Sequence, residues 1–343
     1  MGERVMIKEF GSDFHYIYSE KGQSHFLDDQ ECLNLFFSGR AAVYNLLKVG
    51  IAEYKWKKVG FPGYYCHEVV DFCRDLDIDI VYYQYNPLEN NRIEWDDNEG
   101  DVLVNVNFFG IRKADVSHLK KTVIIEDVTH DLLSTGRSSA DYVFGSLRKQ
   151  LPIGVGGFCI VKENDFFTDT HETVAADEAY QKKSVAMLLK ADYLKNNLDS
   201  NTLYRHYYQE AEKMFESRLT DSLMPQQAIA QLGTFPIEDL INTTRENISF
   251  GVKELKPNNS YQVLNNENGF CLVLYCRASE IRDHLRNYLI EHKIFPAVLW
   301  PNQIFEKDKD LQGRILCIHM DFRYSHEEVK HIADKINTYF ENV

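Results

Sequence analysis

Apolar positions along this chain fall into two alternating rhythms. In "SGRAAVYNLLKVGI", Val43, Leu46, Leu47 and Ile51 recur at near-helical spacing behind Ser38, a residue suited to cap a helix, and predict a helix there. Shorter apolar runs follow. "KVGFPGYY" predicts a strand running into a Gly-Pro loop, and "CHEVVDFCRDLD" predicts a helix. "IDIVYYQY", "DVLVNVNFFG", "TVIIEDVTH", "ADYVFGSL" and "GGFCIVK" predict further strands. Such strands alternating with helical segments imply a mostly parallel sheet covered on both faces. From "FTDTHETV" to about Arg245 the rhythm is helical, punctuated by Pro225 and Pro236. Beyond it, "FCLVLYC", "PAVLWP" and "RILCIHMDF" predict strands, and "RASEIRDHLRNYLIEHK" and "SHEEVKHIADKINTYF" predict helices. The expected organisation is an N-terminal arm over 1–30, a large α/β domain over 31–240 and a small C-terminal α+β domain over 241–343.

Composition narrows the function. With 343 residues, 44% hydrophobic and 26% charged, the chain has the balance of a soluble globular protein. A formal net charge of −14 disfavours non-specific binding to nucleic acid or an anionic membrane, so an anionic substrate would need a local basic pocket. No apolar run approaches the roughly 18 residues of a membrane span, and no basic-then-apolar leader opens the sequence. Seven scattered cysteines without a Cys-x-x-Cys pair read as reduced thiols, and the expectation is a cytoplasmic protein. No metal is expected. The His-Glu dipeptides in "HEVVD", "HETVA" and "HEEVK" lack the second histidine that would put two ligands on one helical face.

The candidate chemistry lies in two segments. "VIIEDVTH" ends an apolar strand in Glu126 and Asp127, with His130 three positions on. Strand C-termini of open α/β sheets are where such folds bind ligands. "VFGSLRKQLPIGVGG" places Ser146, Arg148 and Lys149 just before a glycine cluster that lets backbone approach a ligand closely. A carboxylate and a lysine in one cleft are the minimum set for pyridoxal phosphate: the lysine binds the aldehyde, and the carboxylate keeps the ring nitrogen protonated. The lysine must be neutral to attack, and burial beside the Arg148 cation lowers its pKa in that direction. The helix start at Gly39, Arg40 and Ala41 offers backbone N–H groups to a phosphate, and Tyr65 offers a ring that could stack on the cofactor. Asn107 reads as a strand-end turn former and as a candidate donor to the ring hydroxyl. Arg314 and Arg323 are candidates to hold a donor carboxylate, with ordinary ion pairing as the alternative, and Arg148 is a further candidate substrate contact.

In this order the segments resemble the DegT/DnrJ/EryC1/StrS family of fold-type I pyridoxal-phosphate sugar aminotransferases. "EDVTH" is similar to that family's Glu-Asp-x-x-Gln/His, "KQLPIGVGG" to its lysine, turn and glycines, and "SGRAAVYNLL" to its Ser-Gly-Thr-x-Ala-Leu helix start. "FPGYYC" and "DFRYSHEEVKHIADKI" look like its proline-aromatic loop and its last strand and helix. The resemblance implies a mostly parallel seven-stranded sheet between helices plus a smaller C-terminal domain. It implies Lys149 as the covalent anchor and proton carrier, Asp127 as partner of the ring nitrogen, and His130 against the ring. It also implies a glutamate donor, a nucleotide-linked keto sugar as acceptor, and a homodimer with the site at its interface. Two features depart from the family. Phe144 stands where a phosphate-binding serine is usual, with Ser146 as the candidate substitute, and the family's Asn-Tyr-Arg-Met segment has no counterpart. The rival readings are another pyridoxal-phosphate reaction, such as a dehydratase or an amino-acid enzyme, and a non-catalytic binding module, which Phe144 favours.

Overall fold

The computed structural model describes residues 9–11, 13–18, 32–89, 92–161, 167, 169–196, 201–265 and 268–342. A seven-stranded sheet lies at its centre, in the order β2-β8-β7-β6-β5-β3-β4. These strands are β2 (Leu33–Phe36), β3 (Lys58–Pro62), β4 (Asp79–Tyr83), β5 (Asp101–Val106), β6 (Val123–Asp127), β7 (Tyr142–Ser146) and β8 (Gly157–Ile160). From β4 through β7 all neighbours are parallel, whereas β8 pairs antiparallel with both β7 and β2. Every residue of β5 is buried, which accounts for its unbroken apolar run: a parallel strand covered on both faces has no solvent side to alternate with.

Helix α1 (Gly39–Tyr54) forms where the periodicity predicts it and packs on β7 and β8. The Ser38 hydroxyl accepts the Ala41 amide, closing the first turn, and Lys55 in left-handed geometry ends the last. A smaller antiparallel sheet in the order β12-β10-β9 builds the C-terminal lobe from β9 (Tyr261–Val263), β10 (Leu272–Cys276) and β12 (Ile315–Ile318). Ile237 and Ile241, early in the helix Ile237–Glu254, pack into the core beside β7 and β8, while Ile248 packs among the small-sheet residues. One helix therefore serves both cores, and the expected boundary at 240/241 falls inside it.

Two expectations change. "PAVLWP" does not form a strand. After β11 (Ile294–Phe295) the segment makes a single antiparallel bridge, Ala297 to Cys317 of β12, between Pro296 and Pro301, which lack the N–H a longer ladder requires, and Leu299 and Trp300 line a cavity beside the large sheet. The described part of the arm is also more than an appendage. Phe10–Gly11 (β1) pairs in parallel with β11, and Phe10 is buried against Tyr324 and Ile294. The other arm residues, 1–8, 12 and 19–30, lie outside the described residues.

One glycine fixes the site's geometry. A Cβ on Gly157 would fall 2.1 Å from the Ser38 carbonyl carbon and 2.2 Å from the Gly39 nitrogen, so β8 touches the start of α1 backbone to backbone. Gly157→Ala must push that helix start away, and we expect a stability loss of about 1–3 kcal/mol in thermal unfolding. Gly233→Ala, at an open helix end with nothing nearer than 3.6 Å, should melt at or slightly above the wild-type temperature. Equal melting of Gly157→Ala and wild type would contradict this close approach.

Candidate active site

The C-terminal ends of the parallel strands gather the predicted residues. Tyr65 follows β3, Asn107 follows β5, Asp127 ends β6 and Ser146 ends β7, with the start of α1 beside them. Lys149 lies on a short 3-10 turn, Leu147–Lys149, that follows β7 directly. Gly39, Arg40, Tyr65, Asn107, Asp127, His130, Ser146, Arg148 and Lys149 all line one cavity of about 110 Å³. Lys149 and Arg148 also form the wall of a neighbouring cavity of about 310 Å³, so the lysine stands where the two spaces meet.

Lys149 has its pKa pushed down to about 8, first by the adjacent Arg148 charge and then by burial. Arg148 is fixed in place: its guanidinium lies 4.3 Å from the Phe215 ring centroid and pairs with Glu212 at 3.3 Å. Glu212 also takes Lys183 at 2.5 Å, and these cations hold its carboxyl down at about 2 despite burial. Cys66, Glu212 and Asp13 pull the lysine back up, so its amine is set by a balance of named charges.

Asp127 is 6% exposed, and burial raises its pKa. Its bonds come from neutral donors, the Tyr65 hydroxyl at 2.6 Å and the Thr129 amide at 2.9 Å. A buried carboxylate with only neutral donors on the wall of a cavity suits a ligand that brings a positive N–H. Tyr65 is thus positioned by its hydroxyl, with its ring against Phe61 and Trp300.

His130 is neutral, its pKa lowered to about 3 by burial and by Lys149. Its Nδ1 accepts the Phe109 amide at 3.2 Å, which places the ring proton on Nε2. The ring stacks on Phe270 at 4.3 Å and on Trp300 at 5.4 Å, so its edge rather than its face is left for a ligand. Asn107 forms the expected turn, its carbonyl accepting the Gly110 amide; it also lines the cavity, with its side-chain amide directed at Asp131 at 3.5 Å.

At one end of the cavity the start of α1, Ser146, Arg40 and Arg148 come together. A Cβ on Gly39 would lie 3.1 Å from the Ser146 Cβ and 3.2 Å from the Gly145 carbonyl oxygen, so helix start and strand end meet closely. Arg40 is anchored to the Phe215 carbonyl at 3.0 Å, and burial and Arg148 lower its pKa. Phe144, five residues before Lys149, presents a buried ring where a phosphate-binding serine would be expected from the resemblance.

Three candidates are not brought into this cavity. The Ala41 amide is consumed by the Ser38 cap at 3.2 Å, and its methyl is packed in the core. Arg314 binds the Cys276 carbonyl and Asp310 and covers the Tyr275 ring, away from Lys149. Arg323 is committed to both oxygens of Asp321 at 2.7 Å each, so it has no open fork for a substrate carboxylate. Cys66, Thr129, Glu212, Phe270 and Trp300 join the site or its support without having been predicted. Cys66 and Thr129 sit inside "PGYYC" and "EDVTH", so those motifs pointed at them, whereas nothing in sequence links Glu212 to Arg148. Among the described residues no group of three or more metal-binding side chains could hold an ion, and no helix is long and apolar enough to cross a membrane.

No family model and no curated protein sequence matches this chain. Solved structures do. PseC from Helicobacter pylori, an aminotransferase involved in pseudoaminic acid biosynthesis, superposes with a TM-score of 0.63 at 12% identity, over 98% of this chain and 100% of its own. NtdA from Bacillus subtilis with bound cofactor PMP gives 0.61 at 11% identity, over 94% and 78%. DesI in the presence of its TDP-sugar product gives 0.59 at 13% identity, over 92% and 82%. The chain has the fold of these proteins, the fold-type I architecture expected above.

Glu212→Gln removes an anion that raises the Lys149 pKa while leaving Arg148, which lowers it. The neutral amine, present above about pH 8 in the wild type, should then appear at lower pH. The pH dependence of the rate at which the protein develops a visible absorbance band with added pyridoxal phosphate reads this. An unshifted or alkaline-shifted midpoint would contradict the charge balance.

Proposed function

We propose that this chain is a pyridoxal-phosphate-dependent aminotransferase of the DegT/DnrJ/EryC1/StrS kind, moving an amino group from glutamate to a nucleotide-linked keto sugar. One observation carries the reading: a lysine with a depressed pKa and a buried carboxylate with only neutral donors line the same cavity at the strand C-termini. The fold shared with PseC, an aminotransferase of pseudoaminic acid biosynthesis, and with DesI, which has a TDP-sugar product, supports the substrate class.

The residues present fit the cofactor, which when bound supplies an electron-withdrawing ring able to stabilise charge at the substrate carbon. Lys149 Nζ would bind the aldehyde carbon and, once released by the donor amine, carry a proton to and from the reacting carbon. Asp127 would hold the proton on the ring nitrogen, with Tyr65 and Thr129 fixing the carboxylate's direction. His130 Nε2–H would donate to the ring hydroxyl. The start of α1 at Gly39, with Ser146 and Arg40, would take the phosphate. The larger cavity on the other side of Lys149 would receive the substrates. We further propose that the enzyme is cytoplasmic and acts as a homodimer, with the partner completing the phosphate and sugar contacts.

Phe144 supports the second reading, a binding module that keeps the fold, because a buried ring replaces a phosphate-binding hydroxyl. The two separate in one spectroscopic experiment. On our account, protein loaded with pyridoxal phosphate is coloured, glutamate bleaches the band, and a nucleotide-linked keto sugar restores it. Lys149→Ala should cut turnover by about 10²–10⁴-fold. Colourless protein in excess cofactor would favour the module, and wild-type turnover by Lys149→Ala would remove the lysine from its role.

A further inference from the structure

A third cavity, of about 860 Å³, lies away from Lys149, between the end of β4 and the small domain. Its walls are the rings of Tyr82, Tyr83, Tyr85, Trp95 and Tyr275, together with Asp308 on the helix Glu306–Arg314. Two of these polar groups are unsatisfied. Asp308 and Tyr85 are each 5% exposed, and among the described residues neither the Asp308 Oδ2 nor the Tyr85 hydroxyl has a hydrogen-bond partner. A buried polar atom without a partner is costly, and a carboxylate more so than a hydroxyl.

The chain makes deliberate room for that carboxylate. A Cβ on Gly63 would fall 2.6 Å from Asp308 Oδ2 and 2.9 Å from Gln84 Nε2, so acceptor and amide converge where the backbone carries no side chain. Burial raises Asp308 to about 6, with Lys307 as the opposing charge, so at neutral pH the group is an anion lacking a close cation. The aromatic walls already attract cations from outside: Lys58 sits 4.9 Å from the Trp95 ring centroid and Arg314 lies 4.2 Å from that of Tyr275. The other charges facing the cleft are Glu89, Glu94, Asp310, Arg92 and Lys307. Asp310 is paired with Arg314, and Arg92 acts on Asp115, so the lining remains net negative.

We propose that this cleft is a binding site for an organic ammonium compound, whose cation meets Asp308 and the Tyr85 hydroxyl while its carbon body lies against the tyrosine and tryptophan rings. The site spans large and small domains and is independent of the cofactor reading. Its test uses the whole protein titrated with glucosamine, spermidine and choline, followed by calorimetry and tryptophan fluorescence, with glucose as the uncharged match to glucosamine. At least one amine should bind saturably and glucose should not. Asp308→Asn should weaken that amine by about tenfold or more, as loss of a charge-assisted bond does. Tyr85→Phe, which removes only a hydroxyl, should weaken it less and serves as the readout if Asp308→Asn fails to fold. Absence of binding by all three amines, equal binding of glucose and glucosamine, or unchanged affinity in the variant that folds would each overturn the proposal.

Discussion

The repulsion between Arg148 and Lys149 governs this site. They are neighbours on one turn and both face the same cavity, so neither charge can escape the other by moving into solvent. Glu212 and Phe215 hold the arginine, which leaves the lysine as the group that gives up its proton. A lysine alone in a similar cavity would be lowered by burial only. The arginine adds a fixed electrostatic bias, and the Glu212 carboxylate limits it, holding the amine's pKa at about 8 rather than lower.

The rest of the structure serves that arrangement. Parallel strands buried on both faces hold Asp127 and the turn bearing Lys149 on adjacent strands, β6 and β7, whose register is fixed by the pairing of Asp127 with Phe144. Gly157 lets the start of α1 lie against β8, which brings the helix's positive end to the same cavity. Phe270 and Trp300, from the small-domain side, stack on His130 and so tie the position of one lobe to the ring edge presented by the other. Asp127 and Asp308 share one feature: each carboxylate is removed from water without an ion-pair partner among the described residues, which is the observation both proposals rest on.

Much of this was legible in sequence. Strands such as "DVLVNVNFFG" and "TVIIEDVTH" carry continuous apolar runs because they are covered on both sides, and a motif at a strand end inherits its location from the fold. Residues whose roles depend on distant neighbours were not legible. Glu212 lies 64 positions from Arg148, and only tertiary packing makes them a pair. The same limit explains Arg323. Its residue type suits carboxylate binding, but the partner two residues earlier, Asp321, had already claimed the fork. "PAVLWP" has strand-like residues, yet between its prolines pairing is limited to one bridge from Ala297 to Cys317, and Leu299 and Trp300 line the cavity. Ala41 shows how a cap competes with a ligand: the first free amides of a helix are available only where its own Ser38 leaves them.

The central claim is that Lys149 is the amine that captures the cofactor aldehyde beside Asp127. Borohydride reduction of the protein with pyridoxal phosphate, followed by proteolysis and mass spectrometry, locates that amine directly. The account predicts a single reduced cofactor adduct on the peptide carrying Lys149, lost in Lys149→Ala and weakened in Asp127→Asn. An adduct confined to another lysine, such as Lys183 or Lys190, or none at all, would contradict it.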